Sequence, residues 1–414
     1  MKVVLVNKFL FPKGGDAIYV NLIGKLLSEK GHDIAYWGML YPENSDFKYS
    51  QYFIPFIDYN NLTGFKNKLR AAGNILYSKE AKGNFEKVIH KFKPDIVHVN
   101  NFAHQISPSI LPTAKKYDLP VVMTIHDYKL VCPAYTMMSK GFPCEECKNG
   151  NYHMCFLKKC VKDSYVKSLI NWIEMTLHHK IMKIYKHVDV YISPSNFLKS
   201  KIIEMGFKGE IIHIPNFVYQ DTFEPYLNSR ANRLCYFGRL SNEKGLFTLL
   251  RAKKNISFPL VIIGEGPEKD RLEKFARNNK IKNIKFLGYK SGTQLINEIS
   301  RSLAVVISSE WYENNPYSVI EAFACGKAVV GSRIGGIPEL VKDGITGLTF
   351  QPGNASDLEN KLKYVIEYPD EIDKMGENAK IYTKEDLNPE KYYIKLMDVY
   401  TKALGKNKFR KSKT

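Results

Sequence analysis

An α/β protein with two doubly wound parallel sheets is the fold class this sequence predicts, and three observations predict it. The chain has 414 residues, more than one hydrophobic core usually spans. Short runs at 3–6, 121–125, 234–238 and 260–263 are apolar but for Thr124 and Gly238, the mark of strands covered on both faces. These runs alternate with helical patterns in a first series that ends near residue 193 and a second that begins near residue 234. Such alternation builds parallel sheets flanked by helices. The two halves repeat only in element order, with no repeat of sequence.

The first strand, 3–6, leads into Phe11, Pro12, Lys13, Gly14, Gly15, Asp16 and Ala17, then an apolar-periodic helix over 18–27. A strand this close to the first residue predicts a chain without a secretory signal. Gly14 and Gly15 stand at a strand-to-helix junction, where backbone can approach a ligand. The strand 121–125 ends in His126 and Asp127, at the carboxyl end where open α/β sheets bind ligands. His126 is read there as functional or as a satisfied, partly buried histidine, with Asp127 orienting it. The predicted boundary falls near Asn216, giving domains at 1–216 and 217–388 and a closing helix with a basic tail at 389–414.

In the second half, the strand 234–237 is followed by Gly238, Arg239, Leu240, Ser241, Asn242, Glu243, Lys244 and Gly245, then a helix from Leu246. The two glycines let the backbone come close, and Arg239 and Lys244 can point at one diphosphate, Arg as a planar fork and Lys as a point charge. The strand 260–263 ends in a Gly264-x-Gly266-Pro267 turn, which is not a dinucleotide fingerprint because Pro267 and the charges after it break the pattern. A further segment, 284–289, contains Gly288. After the apolar strand 304–308, Glu313 and Glu321 bracket Asn314, Asn315, Pro316, Tyr317, Ser318, Val319 and Ile320. Pro316 suits the first turn of a helix over 317–325. The helix N-terminus then offers N–H groups and partial positive charge to an anion. Glu313 before the helix and Glu321 inside it can each hold hydroxyls. The spacing suits a ligand with phosphate in the middle and hydroxyls at both ends, as in a nucleotide sugar.

Together these segments resemble glycosyltransferase family 4, retaining enzymes of the GT-B type and here of the bacterial surface-polysaccharide kind. The resemblance lies in the E-x7-E of Glu313 and Glu321, the G-R-L-x-x-E-K-G of residues 238–245, the G-x-G-P of 264–267, the loop at Gly288, the paired Gly14-Gly15 and the Gly335-Gly336 turn. It covers nearly the whole chain. It implies two Rossmann-like domains facing across a cleft, the last helix returning to the first. It places Arg239 and Lys244 on the donor diphosphate, Glu313 on the sugar hydroxyls, Glu321 on the ribose diol and His126 beside the donor sugar. Gly14, Gly15, Gly238, Gly264, Gly266, Gly288, Asn315, Pro316, Tyr317, Ser318 and Val319 line the donor. The implied function is transfer of a sugar from a UDP- or GDP-linked donor to a glycan or polyprenyl-lipid-linked acceptor, with no cofactor needed for catalysis. The alternatives are a non-catalytic binding module of the same fold and a sugar-nucleotide epimerase.

The net charge is +19 and the sequence pI about 9.3. The closing cluster Lys402, Lys406, Lys408, Arg410, Lys411 and Lys413 reads as a solvated, disordered tail. No nucleic-acid-binding motif accompanies the charge, so nucleic acid is not an expected partner. No run is long enough to span a membrane. Two basic, apolar segments, 61–76 with Leu62, Lys66, Lys68, Leu69 and Arg70, and 165–185 with Lys180 and Lys183, suit either a packed helix or an anionic membrane surface. The expected location is cytoplasmic, peripheral at the inner face of the plasma membrane.

Five of the seven cysteines fall between Cys132 and Cys160. Cys144 and Cys147 form a CxxC knuckle, and Cys155 and Cys160 follow, a pattern that can close a tetrahedral structural zinc site. Cys132 can replace one of the four. In a reducing compartment metal is favoured over disulfides, and free thiols are the remaining alternative. Cys235 and Cys325 lie in apolar runs and read as core.

Overall fold

The computed structural model of the chain describes residues 1–11, 14–59, 61, 63–223 and 232–411. In chain order its strands are β1 (Lys2–Val6), β2 (Asp33–Trp37), β3 (Ile96–Val99), β4 (Val121–Thr124), β5 (Met138–Ser139), β6 (Phe142–Pro143), β7 (Val190–Ser193), β8 (Ile211–His213), β9 (Leu234–Phe237), β10 (Leu260–Ile263), β11 (Ile284–Phe286), β12 (Ala304–Ile307), β13 (Ala328–Ser332) and β14 (Gly347–Phe350). Twelve of them form two six-stranded sheets, ordered β2-β1-β3-β4-β7-β8 and β11-β10-β9-β12-β13-β14, while β5 and β6 make a separate small hairpin. The pairings within both large sheets are parallel. Their continuous apolar runs explain this. Val3, Val4, Leu5 and Val6 are all fully buried, which requires cover on both faces.

By its internal contacts the chain divides into two units. The first comprises Met1–Ser139, Cys144–Ile214 and Tyr393–Thr414, the second Lys140–Pro143 and Pro215–Tyr392. In the first, helix Gly15–Glu29 buries Tyr19, Val20, Ile23 and Leu27 after β1. In the second, Leu249, Leu250, Leu272, Leu358 and Leu362 from flanking helices pack with Tyr236, Ile262, Val306 and Val330 from the sheet. Cys235 and Cys325 are buried there, as core residues.

The basic tail departs from expectation. The last helix, Pro389–Lys411, runs on through five of the six cations, and Lys413 lies outside the described residues. Lys402 and Lys406 both pair with Glu210, and the Lys406 ammonium also donates to the Asp189 carbonyl at 3.0 Å. Ala403 is fully buried, and Asn407 donates to the Asp118 carbonyl at 2.6 Å. A carboxylate and two carbonyls of the first unit thus hold the segment in helical form. Among the described residues no helix is long and apolar enough to cross a membrane.

Candidate active site

In the second unit the strand order reverses at β9, which has β10 on one side and β12 on the other. Ligands of open α/β sheets bind at this kind of switch point, outside the carboxyl ends of the strands. The loops leaving β9 and β12 are therefore neighbours. The first carries Arg239 and Lys244, the second Glu313. Their close approach depends on Gly245, at φ +65 before helix Leu246–Lys253. A Cβ there would lie 1.9 Å from the Ser308 carbonyl oxygen. The Ser308 hydroxyl donates to the Lys244 carbonyl at 2.9 Å, and the Glu310 N–H donates to the Glu243 carbonyl at 2.9 Å.

This lacing brings the Lys244 ammonium to 2.5 Å from Glu313 Oε1, which also accepts from the Ser309 hydroxyl at 2.6 Å. Glu313 is 5% exposed. Burial pushes its carboxyl up, but the Lys244 ammonium and Ser309 hydroxyl outweigh burial and hold it below the ordinary carboxylate range. A site expected to keep Lys244 for a diphosphate and Glu313 for hydroxyls thus joins the half-buried Lys244 to the buried Glu313 as an ion pair. Arg239 is exposed. Its carbonyl accepts from the Tyr236 hydroxyl, and its guanidinium has no ion-pair partner among the described residues.

The other loops lock onto this pair. Gly264 donates to the Gly288 carbonyl at 2.8 Å, and Leu240 donates to the Glu265 carbonyl at 2.9 Å. A Cβ on Gly264 would meet the Gly238 carbonyl oxygen at 1.9 Å, and one on Gly266 the Leu240 carbonyl oxygen at 2.2 Å. The Gly336 N–H donates to the Glu313 carbonyl at 2.7 Å, so the Gly335-Gly336 turn braces the loop of β12.

Three features differ from the sequence reading. Pro316 is the N-cap of helix Tyr317–Ala324, at ψ 124, not a first-turn residue. The Val319 N–H, expected at an anion, donates to the Pro316 carbonyl at 3.0 Å. The Asn315 amide oxygen accepts from the Asn216 N–H at 3.0 Å, and its carbonyl accepts from the Asn216 side chain at 2.8 Å, so Asn315 ties the segment after β8. The helix has no side-chain cap. Tyr317 is buried and Ser318 half-buried. Glu321 has no partner for its carboxylate among the described residues, and burial pushes it up to about 7.

In the first unit, His126 and Asp127 follow β4 above an open recess of about 340 Å³ whose lining includes Asn100, Lys129 and Tyr185. Asp127 does not orient His126. Its carboxylate accepts from the Lys129 N–H at 2.9 Å, a local turn that short acidic side chains favour. Asn100 does the orienting, with its Oδ1 3.0 Å from His126 Nε2, and the Tyr19 ring packs edge-on at 4.9 Å. Burial pushes the His126 imidazole down to about 4, against the pull of Asp16. Beneath lies a buried polar chain. Tyr19 meets Thr124 at 2.9 Å, Thr124 meets His98 at 2.8 Å, and His98 meets Tyr400 of the last helix at 2.8 Å. Gly14 is the extended N-cap of the helix that Gly15 begins. Pro12 and Lys13 lie outside the described residues.

The sequence reading missed Asn100, Ser309 and the Lys129–Glu174 pair. Asn100 stands directly after the buried run of β3, the same strand-end signal that exposed His126. Ser309 shares that position after β12. Glu174 gave no local signal, because it meets Lys129 at 2.7 Å only through folding.

Among the described residues no group of three or more His, Cys, Asp or Glu side chains is placed to hold a metal ion, and all seven cysteines are free thiols. Cys132, Cys144, Cys147, Cys155 and Cys160 do gather in one region, close enough for electrostatic influence on Cys147. Several of these sulfurs make hydrogen bonds as thiols. The Cys155 and Cys160 thiols hydrogen-bond to each other, Cys132 meets the backbone of Met137 and Ala134, and Cys160 also meets Ser139.

Two Rossmann-like sheets, with charged loops at the switch point of the second, define a GT-B glycosyltransferase. Residues 13–221 match Glycosyltransferase Family 4, residues 220–382 match glycosyl transferases group 1, and the chain belongs to glycosyltransferase family 4. It is 30% identical over 355 residues to an uncharacterized 42.6 kDa protein of the cps region of Klebsiella pneumoniae, covering 82% of this chain and 87% of that one. It is 31% identical over 189 residues to the lipopolysaccharide 1,2-N-acetylglucosaminetransferase of Salmonella typhimurium, covering 40% of this chain and 50% of the other. Among solved structures it is similar to Anabaena HepE in complex with UDP-glucose, with TM-score 0.68, 16% identity and coverage of 97% and 99%. It also resembles sucrose-phosphate synthase from Thermosynechococcus elongatus, with TM-score 0.73, 18% identity and coverage of 98% and 99%.

Proposed function

We propose that this glycosyltransferase transfers a sugar, with retention of configuration, from a UDP- or GDP-linked donor to a glycan or polyprenyl-lipid-linked acceptor of a bacterial surface polysaccharide. The proposed location is the cytoplasmic face of the plasma membrane. The observation that carries the reading is the Lys244–Glu313 pair beside the unpaired Arg239 guanidinium at the switch point of the second sheet. The cps-region relative and the UDP-glucose complex of HepE support it.

The chemistry follows from charge. As the glycosidic bond to phosphate breaks, negative charge grows on the leaving diphosphate and positive charge on the sugar. Arg239 and Lys244 are assigned to the diphosphate. Glu313 already holds the Lys244 ammonium in place, so that cation needs no reorganisation when charge develops. The Glu313 carboxylate takes sugar hydroxyls with its remaining lone pairs, and Glu321 takes the ribose diol. Gly238, Gly264, Gly266 and Gly288 supply close backbone approach. Gly14, Gly15 and His126 are the ligand-facing residues of the first unit, with His126 neutral at working pH. The acceptor hydroxyl attacks from the face that the diphosphate leaves.

A panel of nucleotide sugars screened for protection against thermal unfolding tests this. The true donor at 100 times its dissociation constant should add about 2.7 kcal/mol. Arg239→Ala should lose that protection and about 100-fold in turnover, with its unliganded melting temperature unchanged. Protection by no nucleotide sugar, or full turnover in the Arg239 variant, would remove the reading.

A further inference from the structure

Trp311 stands in the loop after β12, and the proposed transfer makes no use of it. Its surroundings are those of the donor site. The Glu313 N–H donates to the Trp311 carbonyl at 2.8 Å, a tight turn that keeps the two residues together. The residue before it is fixed as well, since the Thr248 hydroxyl donates to the Glu310 carboxylate at 2.6 Å. The half-buried indole therefore occupies a set position beside the Lys244–Glu313 pair.

Two contacts of this indole bear on the pair. The Lys244 ammonium lies 5.4 Å from the centre of the Trp311 ring, within reach of the attraction between a cation and an aromatic face. That attraction is electrostatic and leaves the ammonium its N–H groups. Lys244 donates to Glu313 and keeps N–H groups for a second acceptor.

The second contact is incomplete. The indole Nε1 is buried and closes no hydrogen bond. It stands near the Glu313 carboxylate all the same. Burial pushes that carboxyl up, and the indole N–H joins Lys244 and Ser309 in holding it down. A buried indole N–H ordinarily finds an acceptor, and a native structure that leaves one without calls for a reason. Packing alone does not supply it.

An incoming diphosphate does. Its oxygens draw on the Lys244 ammonium and weaken that cation's hold on Glu313. A buried carboxylate that loses a donor is destabilised. The indole N–H is the donor in place to make good the loss, while the ring face keeps the ammonium beside the pair.

We propose that Trp311 is a positioning residue of the donor site, which holds the Lys244 ammonium against its ring and closes its indole N–H on the Glu313 carboxylate when a diphosphate engages that cation. The proposal rests on the assignment of Lys244 to the donor diphosphate.

UDP and GDP are the probes. The nucleotide that protects the wild type from thermal unfolding should also change the emission of Trp311. The other two indoles are Trp37 and Trp172, so the wild-type spectrum minus that of Trp311→Phe isolates this one. Trp311→Phe keeps a ring face and loses the N–H, and should bind that nucleotide about threefold more weakly. Trp311→Leu loses both and should bind it about tenfold or more weakly. In a Lys244→Met background the Trp311→Leu change should add little, because the two side chains act as one unit. A structural role alone would weaken both backgrounds alike. The emission change is read on the wild type, so it decides the matter even where Trp311→Leu unfolds. The proposal is overturned if the protecting nucleotide leaves Trp311 emission unchanged, if Trp311→Leu binds like the wild type, or if the losses add in the double variant. Protection by neither nucleotide would strike the donor reading and the role of Trp311 with it. Protection with an unmoved indole strikes the role of Trp311 alone.

Discussion

Glu321 is the residue whose environment makes the sharpest statement. Its carboxyl has an ordinary value of 4.5 and is pushed up to about 7 by burial. The native state therefore binds an extra proton between about pH 4.5 and pH 7, so this group's share of stability falls as pH rises through that window. Replacing it by Gln should remove the fall. Denaturant melts of wild type and Glu321→Gln at pH 5 and pH 8 should differ more at pH 8, with the variant gaining. Ribose hydroxyls donating to the carboxylate favour its charged form, so nucleotide affinity in the wild type should rise over the same range. Parallel pH profiles for the two proteins would show that Glu321 is an ordinary surface acid. Lys244 is a poorer probe than Arg239. Its loss leaves the Glu313 carboxylate buried without its cation, which costs stability as well as activity.

The cysteine-bearing segment is the element whose chemistry changed most between sequence and structure. Spacing alone allows Cys144, Cys147, Cys155 and Cys160 to surround a metal. In the fold, helix His153–Leu157 and the turn after it bring the Cys160 N–H to 3.1 Å from the Cys155 carbonyl, and their thiols hydrogen-bond to each other. That contact, joined by Ser139 and the Lys158 ammonium, lowers the Cys160 thiol despite burial. Burial raises Cys132 to about 11 and pushes Cys147 up further. Thiolates are the reactive form, so iodoacetamide near neutral pH should label Cys160 first and reach Cys132 and Cys147 only after unfolding. Mass mapping of labelled peptides checks this. One zinc per chain by elemental analysis, with all five thiols protected in the native protein, would assign the cluster to the metal instead.

At the scale of the molecule, the charge of +19 is not carried by a loose appendage. The last helix inserts Tyr400 beneath the first sheet, where its hydroxyl meets His98, and buries Leu396, Val399 and Ala403. Removing residues 402–414 would strip Ala403 and the Asn407–Asp118 bond and leave Glu210 without Lys402 and Lys406. We expect that truncation to lower the melting temperature by several degrees, in the range that about 1–2 kcal/mol produces in a large domain. Lys402→Ala with Lys406→Ala, which removes the exposed pairs with Glu210 and the Lys406 bond to the Asp189 carbonyl, should cost less than the truncation. A truncated protein that melts like the wild type would return the tail to the solvated state its composition suggests.

The sequence by itself determined the two doubly wound sheets, because continuous apolar strands and interleaved amphipathic helices are local patterns that the core must obey. It also singled out the loops proposed to carry the chemistry, since Arg239, Lys244, Glu313 and His126 follow buried strands or the glycines beside them. Only the tertiary structure decided how those residues divide their bonds. Lys244 turns to Glu313 because Gly245 lets the loops of β9 and β12 touch, 64 residues apart at the Ser308–Lys244 contact. Asn100, not Asp127, holds His126, because β3 lies beside β4. Glu174 is drawn inward by Lys129, which forces Val166, Leu169 and Ile173 out. Hydrophobic periodicity is written along the chain. The pairing of buried charges depends on strand order and loop contact, and no window of sequence contains both partners.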